Sequence, residues 1–370
     1  MQNISQAFQN ARHILIRGVN WLGDAVMSTP ALMRLRETYP NARITLLCHQ
    51  KLQELWEAHP AVDQVLVFSS EDSLWAISRR LARHKFDAAI LFPNSPRSAM
   101  QVWLARVPVI VGMAAPWRNW MLTHAIPARR GHVPMRKRTP KEIHYLQSGR
   151  IKPEPPPPPA AHHLYHYLHI VAAVGANPEP LAPLVAVPPA IQERIQNRLG
   201  PLSGPLIGIC PGAEYGPAKR WPKENFIKLA LELYQRWNAT IVLLGGHHDA
   251  HTTAIIAKSA GDKVRDWAGQ TSLGELAAVL KACRVVVAND SGPMHLAAAV
   301  GTPVVALFGS TSPLLTAPGL PGDKMHTILW QQAPCSPCFL RECPTDFRCL
   351  KEMTVDQVLK ALAPLLDQKL

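Results

Sequence analysis

Short apolar runs alternate along the chain with stretches whose apolar positions recur every three or four residues. HILIR at 13–17, RITLLC at 43–48, VLVF at 65–68, DAAILF at 87–92 and VPVIV at 107–111 read as strands. Helical spacing is clear over about 25–38 and 73–83, and again near 161–174. The rhythm then restarts. LIGIC at 206–210, TIVLL at 240–244, RVVVA at 284–288 and PVVALF at 303–308 are strands. Helices are expected over 224–237, from Ser272 to Ala282, over 294–300 and over 355–366, the second opened by the Ser272/Glu275 capping pair. Near-continuous apolar strands separated by helices of this length predict parallel sheets covered on both faces. The expected architecture is α/β, two Rossmann-like doubly wound halves with a ligand cleft.

Proline punctuates this pattern. The chain has 35 prolines in 370 residues, about twice the usual share. Pro155 to Pro159 cannot be helix or central strand and reads as a polyproline II loop or an insertion near 153–160. Pro178, Pro180, Pro183, Pro188 and Pro189 mark an expected linker. The domains are therefore placed at 1–180 and 181–353, with a C-terminal helix in 354–370.

Charge adds a direction. There are 39 Lys and Arg against 26 Asp and Glu, so the formal net charge is +13. Residues 1–180 carry +10 of it and residues 181–370 only +3. The densest basic run, Arg129 to Lys152, contains a single acidic residue, Glu142, and reads as a solvated loop or an anion-binding surface. The N-terminal stretch MQNISQAFQNARHILIRG lacks an apolar h-region, and no run approaches about 18 apolar residues. A cytosolic protein with reduced or metal-bound cysteines is expected.

Three loops at strand ends hold candidate chemistry. The first, Arg17 to Asp24, is neither a dinucleotide fingerprint nor a P-loop. It leaves Asp24 where strand one meets its helix, as a general base or as a helix cap. The second, Cys210 to Pro222, joins Gly212, Ala213, Gly216 and Lys219-Arg220 to a helix start. It is a diphosphate site or an ordinary turn. The third, Ala288 to His295, offers Asp290, Ser291, Gly292 and His295 for phosphate and sugar hydroxyls, or for capping. No Asp-x-Asp occurs, so a nucleotide-sugar enzyme of this kind would use Lys219 and helix N-termini, not a carboxylate-held metal.

Together these segments resemble a known family. NWLGD (20–24), LFPNSPRSA (91–99), PGAEYGPAKRWP (211–222), NDSGPMHLAAAVGTPVVALFG (289–309) and CSPCFLREC (335–343) are similar to the lipopolysaccharide heptosyltransferases, glycosyltransferase family 9. The resemblance spans nearly the whole chain, and GAEYGPAKRWP is that of the type acting second on the core. Pro155–Pro159 departs from the family pattern. The resemblance implies a GT-B fold and inverting transfer of L-glycero-D-manno-heptose from ADP-heptose. The acceptor it implies is the first heptose of a lipid A-core, at an anionic inner-membrane surface. It implies a peripheral cytoplasmic enzyme with no cofactor. By motif, Asp24 is the implied base and Lys219 binds the ADP phosphates. It implies that Asp290 contacts the donor heptose, with Ser291, Gly292 and His295 around the phosphates and Gly212 and Ala213 also binding the donor. Asn94, Arg97 and Ser98 lie on the acceptor side.

Other features weigh less. Cys335, Cys338, Cys343 and Cys349 could close a tetrahedral zinc site, but the second pair is not a CxxC, and reduced structural thiols are preferred. His162, His163, His166 and His169, and His247 with His251, recur at helical spacing without a completing ligand and read as solvated or capping residues. The alternatives are another GT-B transferase, a sister heptosyltransferase, a nucleotide-sugar epimerase, or a nucleic-acid-binding protein using the basic run. The last is disfavoured because Tyr145 is the only non-histidine aromatic in that run.

Overall fold

The computed structural model describes residues 4, 8–261 and 264–367. Most of the N-terminal stretch inspected for a targeting signal, and the last three residues of the 354–370 segment, lie outside the described residues. The chain forms two compact units, 1–132 with 163–186, and 133–162 with 187–370.

The first unit holds six parallel strands: β1 (His13–Arg17), β2 (Arg43–His49), β3 (Gln64–Phe68), β4 (Ala88–Leu91), β5 (Val109–Met113) and β6 (His124–Ile126). Their order is β3-β2-β1-β4-β5-β6. Helices α1 (Leu22–Thr38), α2 (Leu74–Ala82), α3 (Pro96–Leu104) and α4 (Leu164–Ala172) accompany them. Strands β1 and β4 are buried almost throughout, as strands covered on both faces must be. Ser73 and Ser95 cap α2 and α3 through their hydroxyls, and Pro96 opens α3 where no intrahelical N–H is needed.

The second unit repeats the plan. It holds β7 (Leu206–Cys210), β8 (Thr240–Leu243), β9 (Val264–Asp266), β10 (Val285–Asn289), β11 (Val304–Phe308) and β12 (Thr327–Trp330). Their order, β12-β11-β10-β7-β8-β9, is the same winding read from the other edge. Helices α5 (Lys223–Trp237), α6 (Ala250–Ala260), α7 (Leu273–Ala282), α8 (Gly292–Ala299) and α9 (Val355–Leu366) complete it. Each sheet reverses its strand order once, between β1 and β4 and between β7 and β10, and loops at such points bind ligands.

Four expectations change. The division is not a single cut at 180, because residues 133–162 belong to the second unit. Much of the basic run is not a loop: Pro140–Gln147 is a helix opened by a Thr139/Glu142 capping box. Arg138 donates from its backbone to Cys338 O (2.9 Å) and from Nε to Pro337 O (2.7 Å). The linker ends where Pro189–Leu199 forms a helix with Pro at its first turn. Helix α9 is not separate either, since Val358, Leu359 and Leu362 are buried in the core with Leu229, Leu233 and Ile256. Among the described residues no helix is long and apolar enough to cross a membrane.

Candidate active site

In the first unit, α1 begins at Leu22 with Trp21 as its cap residue, so Asp24 sits in the first turn and is not the cap. Helix α4 packs beside α1 and brings two side chains to its carboxylate. Tyr167 OH donates to Asp24 Oδ1 at 3.2 Å, and His163 Nε2 stands 3.3 Å from the same oxygen. Tyr167 is 2% exposed, whereas the Asp24 side chain retains 30%. Burial, and then the neighbouring Asp24, hold the Tyr167 phenol well above its usual range, so it remains a donor. His163 stacks on His166, whose pKa burial pushes down to about 3. His162 is 1% exposed. The histidine row is therefore not a fully solvated face: His162 is buried, His163, His166 and His169 are half-buried, and His163 meets the carboxylate.

The acceptor-side residues separate. Asn94 and Arg97 are exposed at the carboxyl end of β4 and the start of α3. Ser98 is 1% exposed and its hydroxyl donates to Ser95 O at 2.7 Å. Two arginines escaped the sequence reading. Arg17, at the end of β1, bonds Gln101 (2.8 Å) and the Gly18 carbonyl and lies over the Phe68 ring. Burial pushes its pKa down to about 10, and Arg97 adds to the effect. Arg118 is fully buried and donates to Pro93 O at 2.5 Å, while its Nε and Nη2 have no hydrogen-bond partner among the described residues. A buried cation in a parallel-strand loop carries no periodic signal, so pattern reading misses it.

In the second unit the loops after β7 and β10 meet at the strand-order reversal. Asn289 ties them, donating to Pro211 O (2.8 Å) and accepting from Trp221 N (3.0 Å). Lys219 Nζ pairs with Asp290 Oδ2 at 2.6 Å, and Thr311 Oγ1 donates to the same oxygen at 2.5 Å. Asp290 is 4% exposed. It is therefore an ion-pair partner, not a cap. Lys219 also lies 5.2 Å from the Tyr215 ring centroid. A Cβ at Gly212 would stand 2.2 Å from the Asp249 carboxylate, so any side chain there forces that carboxylate to move. Ala213 is buried and its carbonyl accepts from Arg220 at 3.1 Å. Ser291 precedes α8 without capping it through its side chain, and its Oγ is buried with no hydrogen-bond partner among the described residues, as are Ser310 and Ser312 Oγ beyond β11. Gly292 opens α8 and His295 is buried one turn on. A cation, a helix N-terminus and buried unpartnered hydroxyls together suit a phosphorylated ligand.

The whole chain now meets its relatives. The glycosyltransferase family 9 (heptosyltransferase) family model matches residues 155–347. The chain belongs to glycosyltransferase family 9. It is 32% identical over 321 residues to lipooligosaccharide heptosyltransferase 2 of Haemophilus influenzae, covering 83% of this chain and 86% of that one. It is 31% identical over 317 residues to lipopolysaccharide heptosyltransferase 2 of Escherichia coli, covering 82% and 85%. The solved E. coli ADP-heptose lipopolysaccharide heptosyltransferase II superposes with a TM-score of 0.74 at 26% identity, over 96% of this chain and 99% of that one. The family 9 chain is thus a glycosyltransferase, and its two α/β units are those of the GT-B fold.

Cys335, Cys338, Cys343 and Cys349 line one small cavity in the second unit, all as free thiols. Burial and their mutual proximity hold the Cys349 thiol up at about 12. Among the described residues no three His, Cys, Asp or Glu side chains close up enough to hold a metal. Two cations of the basic run bind the protein itself, Arg136 to Glu142 at 2.8 Å and Arg138 to the Pro337 carbonyl, while Arg130, Lys137, Lys141, Arg150 and Lys152 are exposed.

Proposed function

We propose that this family 9 enzyme transfers L-glycero-D-manno-heptose from ADP-heptose to the first heptose of the lipopolysaccharide inner core, with inversion. The observation that carries the reading is the Lys219–Asp290 pair, set among buried unpartnered hydroxyls at the carboxyl ends of β7, β10 and β11. Lys219 neutralises the departing diphosphate, with the α8 N-terminus and Ser291 adding donors. Asp290 and His295 accept sugar hydroxyls, while Gly212 and Ala213 let the backbone approach. Asp24 takes the proton as the acceptor oxygen bonds to the anomeric carbon and the bond from that carbon to the diphosphate breaks. Tyr167 and His163 hold the carboxylate in place. Arg97 and Asn94 contact the acceptor. The donor assignment is supported by the E. coli relative, described as an ADP-heptose enzyme. The enzyme acts as a peripheral protein at the cytoplasmic face of the inner membrane.

The test is donor-dependent ADP release with heptosylated Kdo2-lipid A. Release is expected only when ADP-heptose and this acceptor are both present. Turnover with another sugar nucleotide and none with ADP-heptose would sink the donor assignment. Equal turnover with acceptor lacking the first heptose would move the enzyme to the preceding transfer.

A further inference from the structure

The first unit exposes an aromatic face that plays no part in the chemistry above. Trp75 opens α2, Trp103 closes α3, and Trp117 and Trp120 lie in the loop after β5. They are 62%, 42%, 84% and 62% exposed. Helices α2 and α3 pack side by side, and α3 also packs against the turn at Asn119–Met121. Trp75, Trp103 and Trp120 therefore share one groove of about 620 Å³, floored by Val107, Ile110 and Leu122. Trp103 and Trp120 meet edge to face, with ring centroids 5.2 Å apart. A contiguous exposed aromatic patch of this kind marks an interaction surface.

Trp117 is held outward by its own backbone. Its φ is 67°, an outlier for a bulky residue. The flanking residues fix the loop: Arg118 is buried and anchored on Pro93 O, and Asn119 Oδ1 accepts from Ala115 N at 2.9 Å. Such outliers persist where neighbouring contacts determine them.

The charge around the patch is predominantly basic. Arg106 lines the groove itself. Arg79 and Arg83 follow Trp75 at four-residue spacing, on its side of α2, and both are exposed. Between Asp87 and Glu142 the sequence has no acidic residue. The acidic residues closest in sequence to Trp75 are Glu71 and Asp72, and the Asp72 carboxylate accepts from Ser69 N.

We propose that this face docks the enzyme on an anionic phospholipid bilayer. Tryptophan suits that environment because its ring is apolar while its N–H needs a polar partner, so it settles at headgroup depth. Arginines beside it gain from the negative surface potential. A second copy of the chain fits poorly. A two-fold interface through this face would set Arg79, Arg83 and Arg106 against themselves, three cations against the two carboxylates, Glu71 and Asp72, that precede Trp75. The proposal extends the reading of a lipid-borne acceptor and rests on that reading only for its purpose.

The test is co-sedimentation of the full chain with phosphatidylglycerol–phosphatidylethanolamine vesicles and with phosphatidylcholine vesicles. Binding is expected to the anionic vesicles, to weaken with salt, and to bring a blue shift of tryptophan fluorescence. A Trp75→Ser/Trp103→Ser/Trp120→Ser variant and an Arg79→Glu/Arg83→Glu/Arg106→Glu variant should each lose about tenfold or more in vesicle affinity. Both should keep wild-type melting and wild-type turnover on a de-acylated, water-soluble acceptor. No binding by the wild type, or undiminished binding by both variants, overturns the proposal. So does a wild-type dimer in sedimentation velocity that the tryptophan variant abolishes. Vesicle binding without any heptosyl transfer would instead strike the transferase reading and leave the docking face standing.

Discussion

The Lys219–Asp290 pair makes a prediction whose sign depends on which partner is removed. Asp290 is 4% exposed and its Oδ2 takes both the Lys219 ammonium at 2.6 Å and the Thr311 hydroxyl. Lys219→Met leaves that carboxylate buried with Thr311 as its remaining side-chain donor at that oxygen. Losing one partner of a buried pair costs roughly 3–5 kcal/mol, and the surviving Thr311 bond lowers this to about 2–4 kcal/mol. For a unit of roughly 200 residues that is a fall in Tm of about 4–16 °C. Asp290→Asn is different. It is isosteric and keeps the Thr311 bond, while the Lys219 side chain, 15% exposed, keeps access to water and lies beside the Tyr215 ring. Its cost should be about 1 kcal/mol. The double variant should recover much of the Lys219→Met loss, giving a coupling of about 2 kcal/mol in a double-mutant cycle. The assay is urea unfolding of the full chain at neutral pH, followed by tryptophan fluorescence. Lys219→Met costing less than about 0.5 kcal/mol, or additive costs in the double variant, would refute the picture of an isolated buried pair.

Three further outcomes follow from the same geometry. Asp24→Asn should lower kcat by about 10²–10⁴ while leaving ADP-heptose affinity unchanged by calorimetry; near-normal turnover removes Asp24 as the base. Gly212→Ala drives a methyl group into the Asp249 carboxylate and should weaken ADP binding about tenfold or more, with Gly246→Ala, which meets nothing within 4 Å, as the silent control. His59 and His166 are held neutral by burial, with pKa values pushed down to about 4 and about 3. The unfolded chain takes up those protons below about pH 6.5, so the first unit is fully stable above that value and loses stability as pH falls from 6.5 toward 4. Denaturation midpoints over that range should fall by up to about 1.4 kcal/mol per pH unit per histidine, and His59→Gln should flatten the slope.

The strands were legible because burial on both faces leaves an unbroken apolar run, as in Leu206–Cys210 and Val304–Phe308. The three loop motifs were legible because each follows such a strand. Short edge strands, His124–Ile126 and Val264–Asp266, were not, since three residues are too few to give a period to read. Helix Pro140–Gln147 was hidden by its charge although Thr139 and Glu142 spell a capping box; the cations drew attention away from the cap. Asp24 was found by position, but its partners were not. Tyr167 and His163 lie 143 and 139 residues away and reach it only because α4 packs on α1, a tertiary contact with no local signature. The same holds for Arg118, whose burial depends on a loop closing over the end of β4.

The path of the chain through its two units has a consequence for how such an enzyme can diversify. The polypeptide leaves the first unit after residue 132, returns at 163, and leaves again after 186. Both units wind their sheets in one order, as if a single ancestral module had been copied. Yet neither is a contiguous stretch that one recombination event could exchange. A chimaera joined at the proline-rich stretch near 180 would carry residues 133–162 from the wrong parent, stranding the Arg138 bonds to Pro337 and Cys338 against a foreign surface. New donor or acceptor preferences should therefore arise by substitution within the loops after β1, β4, β7 and β10 more readily than by shuffling whole halves. Chimaeras built to swap specificity need three splices, after 132, 162 and 186, that exchange 133–162 together with 187–370.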